Sequence, residues 1–183
     1  MNVLILHGTD SNANSNWFQW LAEQLRVSGW NVFVPDLPQA ERPAPLRYNP
    51  FLDQQLPFTL DGQAVLIGHS SGAVAALQYL QHVRPAEPVH AVWLVSGFVT
   101  DLGWEALTEL FNPPLDYHLL QTLSEEYRLL HSKDDPYVPL GEAKTLAAKL
   151  DGNLLLKEHE GHFSLGTNPS YSEFPELLDL LQS

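Results

Sequence analysis

A chain of 183 residues, 44% of them hydrophobic, is long enough for one domain of ordinary size, spanning 1–183, with a sizeable core. Twenty-two acidic side chains against nine basic ones give a formal charge of −13, which excludes the basic footprint of a nucleic-acid binder and opposes docking on an anionic membrane. The lack of any cysteine rules out disulfides, thiolate nucleophiles and zinc–thiolate sites.

Asn2-Val3-Leu4-Ile5-Leu6 opens the chain as a strand. No basic segment precedes it and no long apolar run follows, so no signal peptide is expected. No stretch approaches the roughly 20 apolar residues that cross a bilayer, and the cytoplasm is the expected location. Short apolar runs predict strands at about Val3–Leu6, Val32–Val34, Ala64–Ile67, Ala91–Val95, Tyr127–His131 and Asn153–Glu158. Such runs suit strands covered on both faces.

Helical spacing lies between them. Trp17, Trp20, Leu21, Gln24 and Leu25 share a face that ends at Gly29. Ser71–His82 is a helix rich in small residues, stopped by Pro85. Gly141–Leu150 and Phe174–Leu181 follow later. Strands alternating with helices predict an α/β fold, a mainly parallel sheet of about six strands flanked by helices. Two connections escape the periodicity. Pro35–Pro57 carries six of the fourteen prolines and reads as an irregular excursion with at most a short helix. Gly97–Glu126 contains two short helical candidates, around Trp104–Phe111 and Tyr117–Leu123. Both connections leave strand ends, where open α/β sheets form their ligand sites.

The chemistry centres on Gly68-His69-Ser70-Ser71-Gly72, a G-x-S-x-G pentapeptide. Residue frequencies alone produce such a pattern in about one chain of this length in twenty, so its surroundings decide its meaning. Here it joins an apolar strand directly to a helix. A sharp strand-to-helix turn exposes the serine hydroxyl above the sheet edge, and the Ser71 N–H points to the same space at a positive helix terminus. A serine hydroxyl is a weak nucleophile until a base accepts its proton. His162, in His159-Glu160-Gly161-His162-Phe163, follows the last predicted strand and is the favoured base over His159. The acid that orients the base is Asp135 rather than its neighbour Asp134, because Asp135 heads Asp-Pro-Tyr-Val-Pro just after a predicted strand. The chain order Ser70, Asp135, His162 is that of α/β-hydrolases. A second oxyanion donor is expected from the His7-Gly8-Thr9-Asp10 turn, with Thr9 N–H preferred to Asp10 N–H. His7 and His69 are expected to border the site, and Trp17, Trp20, Phe98 and Trp104 to line an acyl pocket.

These residues resemble the small serine hydrolases typified by bacterial YdeN and vertebrate retinoblastoma-binding protein nine. The resemblance runs along nearly the whole chain. It covers His7-Gly8, Trp17-Phe18-Gln19-Trp20, Gly68-His69-Ser70-Ser71-Gly72-Ala73, Leu94-Val95-Ser96, Asp101-Leu102-Gly103, Asp134-Asp135-Pro136 and Gly161-His162-Phe163. It implies a compact α/β-hydrolase fold without a large lid domain, and it supports Asp135 as the acid. The vertebrate protein's tumour-suppressor-binding segment requires a cysteine, so the resemblance implies no such partner for this chain. The expected activity is hydrolysis of a small ester, or of an amide or thioester, through an acyl-enzyme on Ser70. It calls for no metal and no organic cofactor, and the expected partner is a small acyl substrate. Two other readings use the same fold: an interaction module with little turnover, and acyl transfer to an acceptor other than water.

Overall fold

The computed structural model describes residues 1–183. Its strands are β1 (Asn2–Leu6), β2 (Asn31–Phe33), β3 (Ala64–His69), β4 (Ala91–Val95), β5 (Tyr127–Ser132) and β6 (Asn153–Lys157). They form one sheet in the order β2-β1-β3-β4-β5-β6, with every neighbouring pair parallel. Side chains alternate between the faces of a strand, and this alternation sorts the core into two. Val3, Ile5, Val65, Ile67, Trp93 and Val95 join one apolar cluster. Leu4, Leu6, Leu66, Val92 and Leu94 join the other. The central strands are therefore mostly apolar on both faces, because each face has its own layer of helices.

The first layer holds α1 (Phe18–Val27) and α6 (Pro175–Gln182), which pack through Leu21, Leu25 and Leu177. The second holds α2 (Pro45–Gln55), α3 (Ser71–Val83), α4 (Tyr117–Leu120) and α5 (Leu140–Leu150). A 3-10 turn at Glu105–Phe111 and α4 make up the predicted helical parts of the 97–126 connection. They bury Leu107, Leu110 and Leu120 in this second core, so the segment is part of the fold rather than a lid. None of the helices is long and apolar enough to cross a membrane.

The segment expected to be irregular, 35–57, instead contains the eleven-residue α2. Its prolines misled the sequence reading for a physical reason. Pro45 sits in the first turn, where a missing N–H costs nothing. Pro50 lies inside the helix and removes one bond, but Tyr48 and Leu52, four apart, bury one face against the second core and hold the helix in place.

Helix α3 is buried along nearly its whole length, and small residues let it approach the sheet. A Cβ built on Gly72 would lie 2.3 Å from Leu6 O and 2.5 Å from His7 O. Those atoms are backbone at the end of β1 and cannot retreat without moving the strand. The change Gly72→Ala is expected to cost about 3 kcal/mol by overpacking, measured as a lower urea midpoint. Gly141→Ala, where a Cβ meets nothing within 4 Å, is the control and should be neutral or stabilising.

Candidate active site

Five loops meet at the C-terminal edge of the sheet, following β1, β3, β4, β5 and β6. The loop after β3 is the tightest. A Cβ on Gly68 would fall 2.4 Å from Ala73 Cα, so strand and helix can meet there only without one. Squeezed between them, Ser70 takes φ 57° and ψ −126°, a region costing a non-glycine residue on the order of 1–3 kcal/mol. Ser70 N–H donates to Val95 O at 2.8 Å and Ala73 N–H to Ser70 O at 2.9 Å, which hold the turn. The Ser70 side chain makes no hydrogen bond within the protein and opens into a cleft that His162 also lines.

Asp135 and His162 are joined directly, with Nδ1 of His162 2.8 Å from Asp135 Oδ2. The carboxylate side chain is fully buried and every approach to it is a donor. Ser96 Oγ donates to Oδ2 at 2.8 Å, and the N–H groups of Tyr137 and Val138 donate to Oδ1 at 2.9 and 3.0 Å. A carboxylate accepts only, so Nδ1 of His162 carries the proton and Nε2 is left free to act as a base. Ser96 went unassigned in the sequence reading. Its signal was its place at the C-terminal end of β4, where it adopts φ 51°.

The loop carrying His162 is pinned from several sides. His69 Nε2 donates to His162 O at 2.8 Å, and Trp17 Nε1 donates to Phe163 O at 3.0 Å. Asn16 Oδ1 accepts from Leu165 N–H at 2.9 Å, and Thr167 Oγ1 accepts from His162 N–H at 2.9 Å. Asp134 accepts from Gly161 N–H at 2.9 Å and from Ser132 Oγ at 2.5 Å. Asp134 thus ties the loop of the acid to the loop of the base, while His159 stands exposed, 3.8 Å from Asp134.

Two backbone donors, beside Ser70 in the chain or in the cleft lining, have no partner of their own. Neither Thr9 N–H nor Ser71 N–H makes a hydrogen bond within the protein, whereas Asp10 N–H is committed to Ala40 O. Thr9 Oγ1 donates to Ser71 Oγ at 2.8 Å, linking the two segments side chain to side chain. His7 fixes the plane of the peptide between Gly8 and Thr9. A carbonyl can only accept and an N–H can only donate, so His7 donates from Nδ1 to Gly8 O at 3.0 Å and accepts at Nε2 from Leu37 N–H at 2.9 Å.

The cleft has a volume of about 390 Å³. Of the residues expected around it, Ser70, His162, Thr9, His69, Phe98 and Trp104 line it. Three expectations are corrected. Trp17 is fully buried and serves the His162 loop from behind. Trp20 packs at the edge of the first core. His7 is buried beneath the Gly8 turn and acts through the backbone. Residues that the sequence reading missed are Leu102, Leu107, Tyr137 and Val138 on one wall, with Ser11, Asn16 and Ser164 on the other. No group of three or more His, Asp or Glu is disposed to hold a metal ion.

Comparison with known proteins identifies the family and the fold. A family model described as serine hydrolase matches residues 3–183. The chain is 29% identical over 184 residues to YdeN of Bacillus subtilis (strain 168), covering 99% of this chain and 94% of that protein. The crystal structure of the ydeN gene product superimposes with a TM-score of 0.90, at 27% identity, covering 99% and 96% of the two chains. Serine hydrolase RBBP9 of Rattus norvegicus is 28% identical over 180 residues, 97% of this chain and 90% of that one. An esterase from Exiguobacterium antarcticum shares the α/β-hydrolase fold, with a TM-score of 0.69 at 16% identity over 100% of this chain and 92% of its own.

Burial dominates the titration of three imidazoles, those of His69, His7 and His131. It pushes His69 from the ordinary 6.5 down to about 3, with nearby His162 adding to the effect and the bond to His162 O opposing it. Burial also lowers His7 and His131. Burial pushes Asp135 upward, but the hydrogen bond and charge of His162 and the two N–H donors outweigh it, leaving the carboxyl below its ordinary value. A histidine held neutral by the fold binds its proton more readily in the unfolded chain. Stability is therefore full above pH 6.5 and is lost as pH falls toward the folded values. The expected loss for His69 is roughly 1 kcal/mol per pH unit between 6.5 and about 3. Urea midpoints measured across this range should fall, and His69→Asn, which keeps a donor for His162 O, should flatten the slope. An unchanged slope in that variant would contradict the assignment.

Proposed function

The chain belongs to the serine hydrolase family, and on that premise we propose that it cleaves small carboxylic esters through Ser70, His162 and Asp135, as a carboxylesterase-like enzyme without a cofactor. The observation that carries the reading is the 2.8 Å bond between His162 Nδ1 and the buried Asp135 carboxylate, behind a cleft that both His162 and the strained Ser70 line. That bond selects the tautomer in which Nε2 can accept a proton. No hydrogen bond joins Ser70 Oγ to Nε2, and catalytic bonds of this kind commonly tighten around bound substrate.

In the first half of the reaction Ser70 Oγ bonds to the acyl carbon and its proton passes to His162 Nε2. The carbonyl oxygen becomes an oxyanion, stabilised by the N–H groups of Thr9 and Ser71. The bond to the leaving oxygen breaks and His162 returns the proton to it, releasing the alcohol. In the second half water attacks the acyl carbon, gives its proton to Nε2, and the acid leaves as Ser70 recovers its hydrogen. Asp135 stays ionised throughout and stabilises the imidazolium. Each oxyanion donor is worth about 3 kcal/mol in such sites, so the two unengaged N–H groups supply a large share of the acceleration. The His7 bond to Gly8 O and the Thr9–Ser71 bond hold those donors before the substrate arrives.

A fluorophosphonate should label Ser70 covalently, as read by peptide mass spectrometry, and Ser70→Ala should abolish both labelling and ester turnover. Asp135→Asn should leave the fold intact and lower kcat by about 10⁴-fold, because the wrong tautomer is favoured. Turnover retained in Ser70→Ala would assign the chemistry to another nucleophile.

A further inference from the structure

The cleft is not uniform, and its two walls differ in kind. One wall comes from the loops after β4 and β5 and is apolar. Phe98, Leu107 and Val138 form a buried floor, with exposures of 1–2%. Trp104 and Tyr137 stand above them, 46% and 45% exposed, their rings edge-to-face with centroids 6.4 Å apart. Few large hydrophobic side chains of this chain are so exposed, and aromatic rings left open at a cleft mouth gain most from an apolar group laid against them.

The other wall comes from the loop after β1 and the loop carrying His162. It presents Asp10, Ser11, Asn16 and Ser164. Ser11 lines this wall, but its Oγ is buried beneath the cleft surface and out of reach of a ligand. Asn16 spends its Oδ1 on Leu165 N–H and leaves its amide hydrogens unspent. A wall whose donors are unspent favours a ligand that brings acceptors to them. Asp10 carries the one carboxylate among the lining residues of this wall, and neither lysine nor arginine lines the cleft. Together with the net charge of −13, this disfavours a negative substituent.

The loop that carries the base sides with the polar wall, while the His162 ring itself meets Tyr137 of the apolar wall edge-to-face, centroids 5.0 Å apart. The leaving oxygen must lie beside His162 Nε2 to receive its proton. The polar wall is continuous with the His162 loop, through Ser164 and through the bond from Leu165 to Asn16. The apolar floor is built on the β4 loop, which Glu142 clamps by accepting from Val99 N–H and Thr100 N–H at 2.8 and 3.0 Å. Resting on the serine mechanism described above, we propose that the substrate is an ester of a compact apolar acid with a neutral, hydroxyl-bearing alcohol. The acyl group lies on the Phe98 side of Ser70 and the alcohol on the Asn16 side.

Two isomeric esters separate this orientation from its reverse: glyceryl monobutyrate, with an apolar acid and a polar alcohol, and butyl glycerate, with the polarity exchanged. After normalisation to alkaline hydrolysis, kcat/KM should favour glyceryl monobutyrate by at least about tenfold. Trp104→Ala should shrink that ratio several-fold. O-butyryl glycerate, whose alcohol portion carries a carboxylate, should be the poorest of the three, and Asp10→Asn should narrow its deficit. Equal or reversed kcat/KM for the two isomers overturns the proposal. So does failure to turn over either isomer in protein whose Ser70 is labelled by a fluorophosphonate, and in that case the serine mechanism stands. Absence of labelling removes the mechanism, and the substrate assignment with it.

Discussion

The close approach of α3 to the end of β1 is the contact on which the site depends. Gly72 lies against the carbonyls of Leu6 and His7 with no room for a side chain, and Gly68 lies against Ala73 in the same way. With both glycines in place, the intervening serine is forced into a backbone region that it would not choose. The strain is offset by burial of α3 between sheet and helices. The same contact brings the start of the helix close to the Gly8-Thr9 turn, where Thr9 Oγ1 bonds Ser71 Oγ, so one steric constraint arranges the proposed nucleophile and the proposed oxyanion donors together. Electrostatic groups positioned in this way need no reorganisation when charge develops.

The rest of the site hangs from the same edge at longer range. Asp135 arrives from β5, His162 from β6 and Ser96 from β4, and the bonds between them join the loops of neighbouring strands, β4 to β5 and β5 to β6. The carboxylate is buried, yet four donors surround it, which compensates the desolvation that would otherwise raise its pKa. Behind the base, Trp17 and His69 take up the carbonyls of Phe163 and His162. His69 reaches only one partner; its Nδ1 is buried without one, beside Trp17 and Phe18. That unsatisfied nitrogen is the cost of placing a rigid donor under the catalytic loop, and it explains why protonating His69 opposes folding.

Much of this arrangement was legible in the residues, and the boundary of legibility is physical. The strands could be read because burial on both faces leaves continuous apolar runs, and the sheet edge followed from the parallel order. The pentapeptide, the aspartate before proline and the last-loop histidine could be read because each follows a strand. The helix at 45–55 was missed because proline propensity is a local signal and the packing of Tyr48 and Leu52 is not. Trp17 and His7 were set in the pocket because aromatic and imidazole side chains near a motif look alike whether they face a ligand or hold a loop from behind. The bonds of Ser96 to Asp135 and of Asp134 to Gly161 join segments distant in the chain, and a strand-end position marks such a residue without naming its partner.

The central claim is that Ser70, the two N–H groups and His162 act on one acyl centre. A crystal structure of the protein reacted with a fluorophosphonate tests it most directly. The account predicts a phosphorus–oxygen bond to Ser70 Oγ, with the phosphoryl oxygen about 2.7–3.1 Å from both Thr9 N and Ser71 N and His162 Nε2 turned toward the adduct. An adduct on another residue, or a phosphoryl oxygen pointing away from both N–H groups, would contradict it.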